Sequence, residues 1–354
     1  MALPYSTSAV DINSVGLSWV QANRDRFLST RLPMVRVLDQ LTGRSGSTTY
    51  EVPDIINSLL AGGNLRDWVP GATPPAPRNL TSSTVTITCR HRSTHGLIRP
   101  QRGGDATHIF RDLETNVVPI LLSEMYQALD FDLAALLINT ANFNQKVFSH
   151  ASALDDGSNH GNQTPLADIN GFLAAIRPLR GFSGLALECV MSENVAEVLA
   201  NHTDYSGGGI GSGVANSLVI DEFARRFQAI HRLDAVNIGN IAGNTAVLGA
   251  TSSISNVFHQ STGDAILWFG LVDRRAASFD LTTEASFDSP DGALCVAMAR
   301  EPEVISAVDE RREVEEFFGR TSFQVYSPRG DADTNDIDNM GFFMKSQGNT
   351  GIFT

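Results

Sequence analysis

Residues 112–138 read DLETNVVPILLSEMYQALDFDLAALLI. Val118, Leu122, Met125, Leu129, Leu133 and Leu136 fall at steps of four, three, four, four and three, so they form one apolar stripe along one side of an α-helix. Pro119 sets the start of that helix or kinks it, because proline lacks a backbone donor and fixes φ. From Pro119 to Ile138 the helix would span ~30 Å at 1.5 Å per residue, the width of a small domain. What covers the stripe decides the architecture.

Working outward toward the N-terminus, STVTITCRHRSTHGLI alternates Val85, Ile87 and Cys89 with threonines, the period of a half-exposed strand that His91 and His95 continue. As metal ligands these histidines would need the helix and glutamate of a zinc-protease motif, and Arg92 follows His91 instead, so they read as structural. Residues 57–79 are rich in Gly and Pro and read as a long excursion, a feature usually functional or interfacial. LPMVRVLDQL and TGRSGSTTYEVPD precede it as strand-like runs around a turn. The first thirty residues carry scattered apolar positions, Val10, Ile12, Val15, Leu17, Trp19 and Val20, with no block able to form its own core; an arm lying on something else fits.

Toward the C-terminus the pattern becomes mixed α/β. Leu166–Arg177 reads as a helix stopped by Pro178, LALECVMS as a buried strand, and Ser192 as the cap of ENVAEVLANH. VIDEFARRF reads as a helix; LDAVNIG, DAILWFGLV and RAASFDL read as strands; residues 303–318 fit helix or strand equally. The run GGGIGSG at 207–213 has five glycines in seven positions. A phosphate loop would need a preceding strand and a following Gly-Lys-Ser/Thr, and a dinucleotide fingerprint would need glycines at the first, third and sixth positions; neither is met. A loop that must bend is the better reading, with a phosphate-binding α/β enzyme as the alternative.

Composition narrows the function classes. The 354 residues suffice for two or three units with cores of their own, and no apolar run approaches the ~18 residues of a membrane span. MALPYSTSAVDIN has neither the basic nor the apolar region of a secretion signal, which points to synthesis in the cytoplasm. Cys89, Cys189 and Cys295 are odd in number and far apart, so they read as buried thiols. A net charge of −13 argues against a protein that wraps nucleic acid through its phosphates. Lys146 and Lys345 are the only lysines among 26 basic residues, and the arginine bias leans toward self-packing interfaces. No catalytic constellation, cofactor motif or metal-ligand spacing emerges, and DADTNDIDN at 331–339 lacks the glycine and closing glutamate of a calcium loop.

The order of parts resembles the major capsid protein of tailed bacteriophages, the HK97 fold. SVGLSWVQANRDRFLSTRLPMVRVLDQLTGRSGSTTYEVPD looks like the family's arm, its Pro-x-Val-x-Val strand (Pro33, Val35, Val37) and the entry to its extended loop at Tyr50. Residues 112–138 are similar to its spine helix, with Asp132 where many members carry glutamate. LDAVNIGNIAGNTA followed by GDAILWFGLVD is similar to the lambda-type branch. The likeness runs from about Asp11 to Arg275.

The resemblance implies an α+β fold of five parts: an N-terminal arm at 1–32, a peripheral domain at 33–41 and 81–140 with the spine helix, an extended loop at 42–80, an axial α/β domain at 141–300, and C-terminal strands at 301–354 returning to the peripheral domain. It implies a non-enzymatic shell protein of the phage head. Its partners would be copies of itself in hexamers and pentamers, loosely touched double-stranded DNA, a portal, and decoration or scaffold proteins. Subunit contacts would involve Arg44, Arg66, Trp68 and Arg78 on the extended loop, and Gly208, Gly209 and Gly211 near the capsomer centre. The arm would thread under a neighbour. Some members cross-link this loop through a lysine, and residues 42–80 contain none. An encapsulin-like compartment shell is the alternative within the fold, disfavoured by an arm where those proteins begin with a helix; a secreted adhesin or tail protein lacks its expected repeats and signal.

Overall fold

The computed structural model describes residues 12–23, 27–31, 35–37, 47–53, 82–98, 106–149, 154, 162–181, 185–206, 217–239, 242–244, 254–256, 266–273, 292–309, 314–328 and 336–345. Helices and sheets are mixed along the chain. In order come α1 (Ile12–Ala22), α2 (Leu28–Arg31), β1 (Val35–Val37), β2 (Ser47–Pro53), β3 (Ser82–Thr88), β4 (Arg90–Ile98) and the long helix α3 (Ala106–Leu137). Then follow β5 (Asn144–Val147), α4 (Pro165–Ile176) with a 3-10 turn at Arg177–Gly181, β6 (Leu185–Ser192), α5 (Glu193–Asn201), α6 (Thr203–Ser206) and α7 (Ser217–His231). The remainder is β7 (Ala235–Gly239), β8 (Ala242–Asn244), β9 (Ile254–Asn256), β10 (Ile266–Asp273), β11 (Cys295–Asp309), β12 (Val314–Tyr326), α8 (Asp336–Asn339) and β13 (Gly341–Lys345).

At 32 residues, α3 is ~48 Å long. It starts well before Pro119, which therefore lies inside the helix and does not begin it. The predicted stripe is its buried side: Val118, Leu122, Met125, Leu129 and Leu133 are all at most 3% exposed. Two cores share it. Val118, Leu121, Leu122 and Met125 pack with Val304 of β11 and Phe317 of β12, while Leu129, Leu133, Ala134 and Leu137 belong to the larger core of the α/β region.

The first core lies under a four-stranded sheet of order β1-β11-β12-β4. The ambiguous segment 303–318 is strand here, since β11 and β12 form an antiparallel ladder from Cys295 opposite Tyr326 to Asp309 opposite Val314. The expected single strand from Ser82 to Ile98 is two: β3 pairs with β2, β4 pairs with β12, and buried Cys89 marks the switch between partners. The second core surrounds a five-stranded sheet of order β5-β13-β10-β6-β7, in which all eight residues of β6 are buried. Ser192 caps α5 as expected, its Oγ accepting the Val195 N–H at 3.3 Å. The last strand, β13, joins this second sheet between β5 and β10, whereas β11 and β12 sit in the first. Gly341 opens β13 where the backbone crowds it: an added Cβ would come within 2.9 Å of the Phe269 carbonyl oxygen.

Residues 12–22 form a helix, and what it lies on is the chain's own α3. Trp19 and Val20 pack on the first core, and Trp19, Phe27 and Tyr126 bring their ring centroids within 5.6–6.5 Å of one another. Leu28 is fully buried in the second core. A segment without a core pattern of its own thus completes two cores that other elements begin. Deleting Ala2–Arg26 is accordingly expected to lower stability by a few kcal/mol, since it strips apolar cover from Val118 and Leu122. Urea unfolding checks this, and an unchanged midpoint would show that α1 adds nothing.

Candidate functional site

The residues expected at subunit contacts, Arg44, Arg66, Trp68, Arg78, Gly208, Gly209 and Gly211, lie outside the described residues, as does the strand expected at 275–281. Their described flanks are informative. In the β2–β3 ladder Ser47 stands opposite Thr88 and Pro53 opposite Ser82, so the chain leaves and re-enters the excursion side by side. Among the described residues this ladder is a two-stranded sheet of its own.

The glycine run joins α6 to α7, helix to helix. That is not the strand-to-helix setting in which phosphate loops work. On both sides of the run the chain is anchored in one buried cluster. The Tyr205 ring of α6 packs on Phe223 and Phe227 of α7, with centroids 5.8 and 5.5 Å away. The Tyr205 hydroxyl lies 2.9 Å from His231 Nε2, and His231 Nδ1 lies 3.2 Å from Asn170 Oδ1 of α4. Because the Asn170 oxygen can only accept, Nδ1 carries the proton and Nε2 accepts from the tyrosine. Arg177 then donates to Asn170 Oδ1 at 2.5 Å and to the His231 carbonyl at 3.0 Å.

Burial, helped by the Arg177 charge, pulls the His231 pKa down to about 3 and keeps the ring neutral. Arg180 donates to the next carbonyl, Arg232 O, at 2.8 Å and pairs with Asp234. The two arginines thus satisfy carbonyls at the end of α7, where the helix dipole favours cations. This is a holding device: the bonds its members make run to other parts of the chain, although the buried Arg177 Nε is left without a partner among the described residues.

His91 and His95 lie exposed on β4. His95 stacks on Phe318 at 4.7 Å, with Nε2 3.9 Å from Glu316 Oε2. Among the described residues no group of three or more His, Cys, Asp or Glu side chains is placed to hold a metal. The three cysteines are unbridged and buried, and burial raises the Cys89 and Cys189 thiol pKa values. Among the described residues no helix is long and apolar enough to cross a membrane.

The buried polar groups were missed in the sequence, yet one carried a signal. Asp130 sits one turn after Tyr126 and one before Ala134, on the buried side of α3, where an acid is out of place. It is 0% exposed and accepts the Ser29 N–H at 2.7 Å and the Leu28 N–H at 3.3 Å. Lys146 Nζ lies 2.8 Å from Asp336 Oδ2, and Asn144 donates to the other oxygen at 2.9 Å. That network ties α8 to β5.

No protein-family model and no curated protein sequence matches this chain. Among solved structures it is similar to a phage-related protein from Bordetella bronchiseptica RB50, with 12% identity, a TM-score of 0.49, and 73% of this chain and 76% of that chain covered. It is similar to the capsid of an empty GTA particle at 13% identity and TM-score 0.48, covering 92% of this chain and 97% of that one. It is also similar to the mature capsid protein of bacteriophage PhiM1 at 11% identity and TM-score 0.45, covering 90% and 86%.

Tyr205→Phe is expected to destabilise the protein by ~1–3 kcal/mol, because it leaves the buried His231 Nε2 without its donor. The wild type should also lose stability as pH falls from 6.5 toward 3, since the unfolded chain takes up a proton that folded His231 refuses. Thermal unfolding of both proteins across that range checks both effects.

Proposed function

We propose that the chain is a shell-forming structural protein, the major capsid protein of a tailed phage of the lambda-type branch, whose hexamers and pentamers close into an icosahedral head around double-stranded DNA. The observation that carries this reading is the β2–β3 ladder, paired among the described residues only with itself. A lone two-stranded ladder is marginal in water and needs a surface to lie on. Its own chain covers one end, where Ile87 of β3 is buried with Cys89 and Ala297; a neighbouring copy supplies the surface for the rest, with Arg44, Arg66, Trp68 and Arg78 on the extended loop making the contact. The order of parts around α3 supports the same reading.

In this reading Gly208, Gly209 and Gly211 let the run between α6 and α7 adapt where five or six copies crowd together, while the Tyr205–His231 cluster anchors its ends. The acidic net charge keeps packaged DNA from adhering to the wall. Portal, scaffold and decoration proteins would complete the particle. The helix α1 at Ile12–Ala22 favours a second reading, an encapsulin-like compartment shell, because that segment is helical where an extended arm is expected. The two differ in cargo.

Expression of the full chain and negative-stain microscopy are expected to show closed shells. Monomers or small oligomers alone would refute both readings, and enclosed protein in place of DNA would select the compartment. Boiled in SDS and reductant, particles should give a single band near 38 kDa. The excursion has no lysine, and the Lys146 amine is engaged by Asp336. A ladder of linked subunits would contradict this.

A further inference from the structure

The N-terminal segment is fastened to the long helix by a group whose charge is costly where it sits. Asp130 of α3 is wholly buried; it accepts the backbone N–H groups of Leu28 and Ser29, the first residues of α2, and the Ser29 side chain lies against it. These donors offset only part of the cost of dehydrating a carboxylate, and no arginine or lysine side chain is bonded to it among the described residues. Undocking residues 27–31 would return the carboxylate to water. We propose that Asp130 is a proton-operated latch: the N-terminal segment docks tightly on α3 when this carboxyl is protonated and loosens as it ionises.

The surrounding groups leave Asp130 in control. On α3, Tyr126 stays neutral, its pKa pushed up to about 12 by burial and by Glu301 of β11. Asp132 is paired with Arg92 of β4, and burial raises its pKa as well, so a variant of Asp130 itself is needed to separate the two. From α1 comes the uncharged Trp19, and Asn237 of β7, which lies beside α2, is bonded to Glu188 of β6. Burial raises the Asp130 pKa from 3.8 to about 6, with the Ser29 N–H, the Ser29 side chain and the Leu28 N–H pulling it partly back. The docked state therefore holds more protons than the undocked one between these values. Docking strengthens as pH falls through 6, reaches full strength below 3.8, and weakens again as pH rises.

Linkage makes the gain about tenfold between pH 7.5 and pH 5. His231 acts in the opposite sense over the same range, so global stability would hide the latch and the readout must be local. The latch is a property of the fold and holds whether or not the chain builds shells; where it does, the latch sets how firmly residues 27–31 stay on their own long helix.

The test is hydrogen exchange of the full-length protein at pH 5 and 7.5, corrected for intrinsic rates, comparing the peptide covering 28–31 with one from α4. Wild type should show about tenfold higher protection at pH 5 in the 28–31 peptide alone. Asp130→Asn should show no such difference. An unchanged or lower protection at pH 5, an equal rise in the α4 peptide, or the same pH response in Asp130→Asn would overturn the proposal. If the variant does not fold, the wild-type profile against the α4 peptide decides.

Discussion

The structure depends on one helix burying its apolar side against two different partners. Met125 ends the group that faces the four-stranded sheet, and Leu129, one turn later, begins the group inside the α/β core. A helix of ~48 Å cannot bury its whole length against one small sheet. Sharing it between two cores solves the problem and makes each core's integrity a condition for the other's. The N-terminal segment follows from this arrangement: α1 covers the first group, and Leu28 inserts into the second.

Buried polar groups then decide which connections are firm. The Asn170–Tyr205–His231–Arg177 network joins a neutral histidine to the charged Arg177, and its histidine resists protonation. Asp130 accepts at both oxygens, from the Leu28 and Ser29 N–H groups, with no countercharge bonded to it among the described residues. The two groups respond to acid with opposite signs. One connection loosens while the other tightens, within a single chain and over overlapping pH ranges.

The proposed self-association draws on two features, a ladder of two strands and an arginine-rich composition. The ladder pairs only with itself among the described residues and is covered at Ile87 by its own chain, and a chain with 24 arginines, counted as 26 basic residues less two lysines, is well supplied with groups suited to planar ion pairs. The lysine amine at position 146 is held by Asp336 inside the chain. In the proposed shell, cohesion between copies would rest on buried area and arginine–carboxylate pairs.

Local pattern was enough for the elements whose periodicity is strong. The stripe on α3, the all-buried β6, the Ser192 cap and the strands at 235–239 and 266–273 were legible because each depends on residues a few positions apart. The resemblance in the order of parts was legible too, though the contact residues it implied lie outside the described residues. Tertiary structure alone decided the rest. Residues 303–318 became strand because β12 pairs along β11 and β4; Pro119 was absorbed within α3; and the chain changed ladder partners at Cys89. Asp130 and His231 became buried holding groups only through partners about 100 and 61 positions away. Local sequence specifies backbone preference and the facing of side chains, whereas the cost of burying a charge depends on what folds over it, and that is set by contacts distant in the chain.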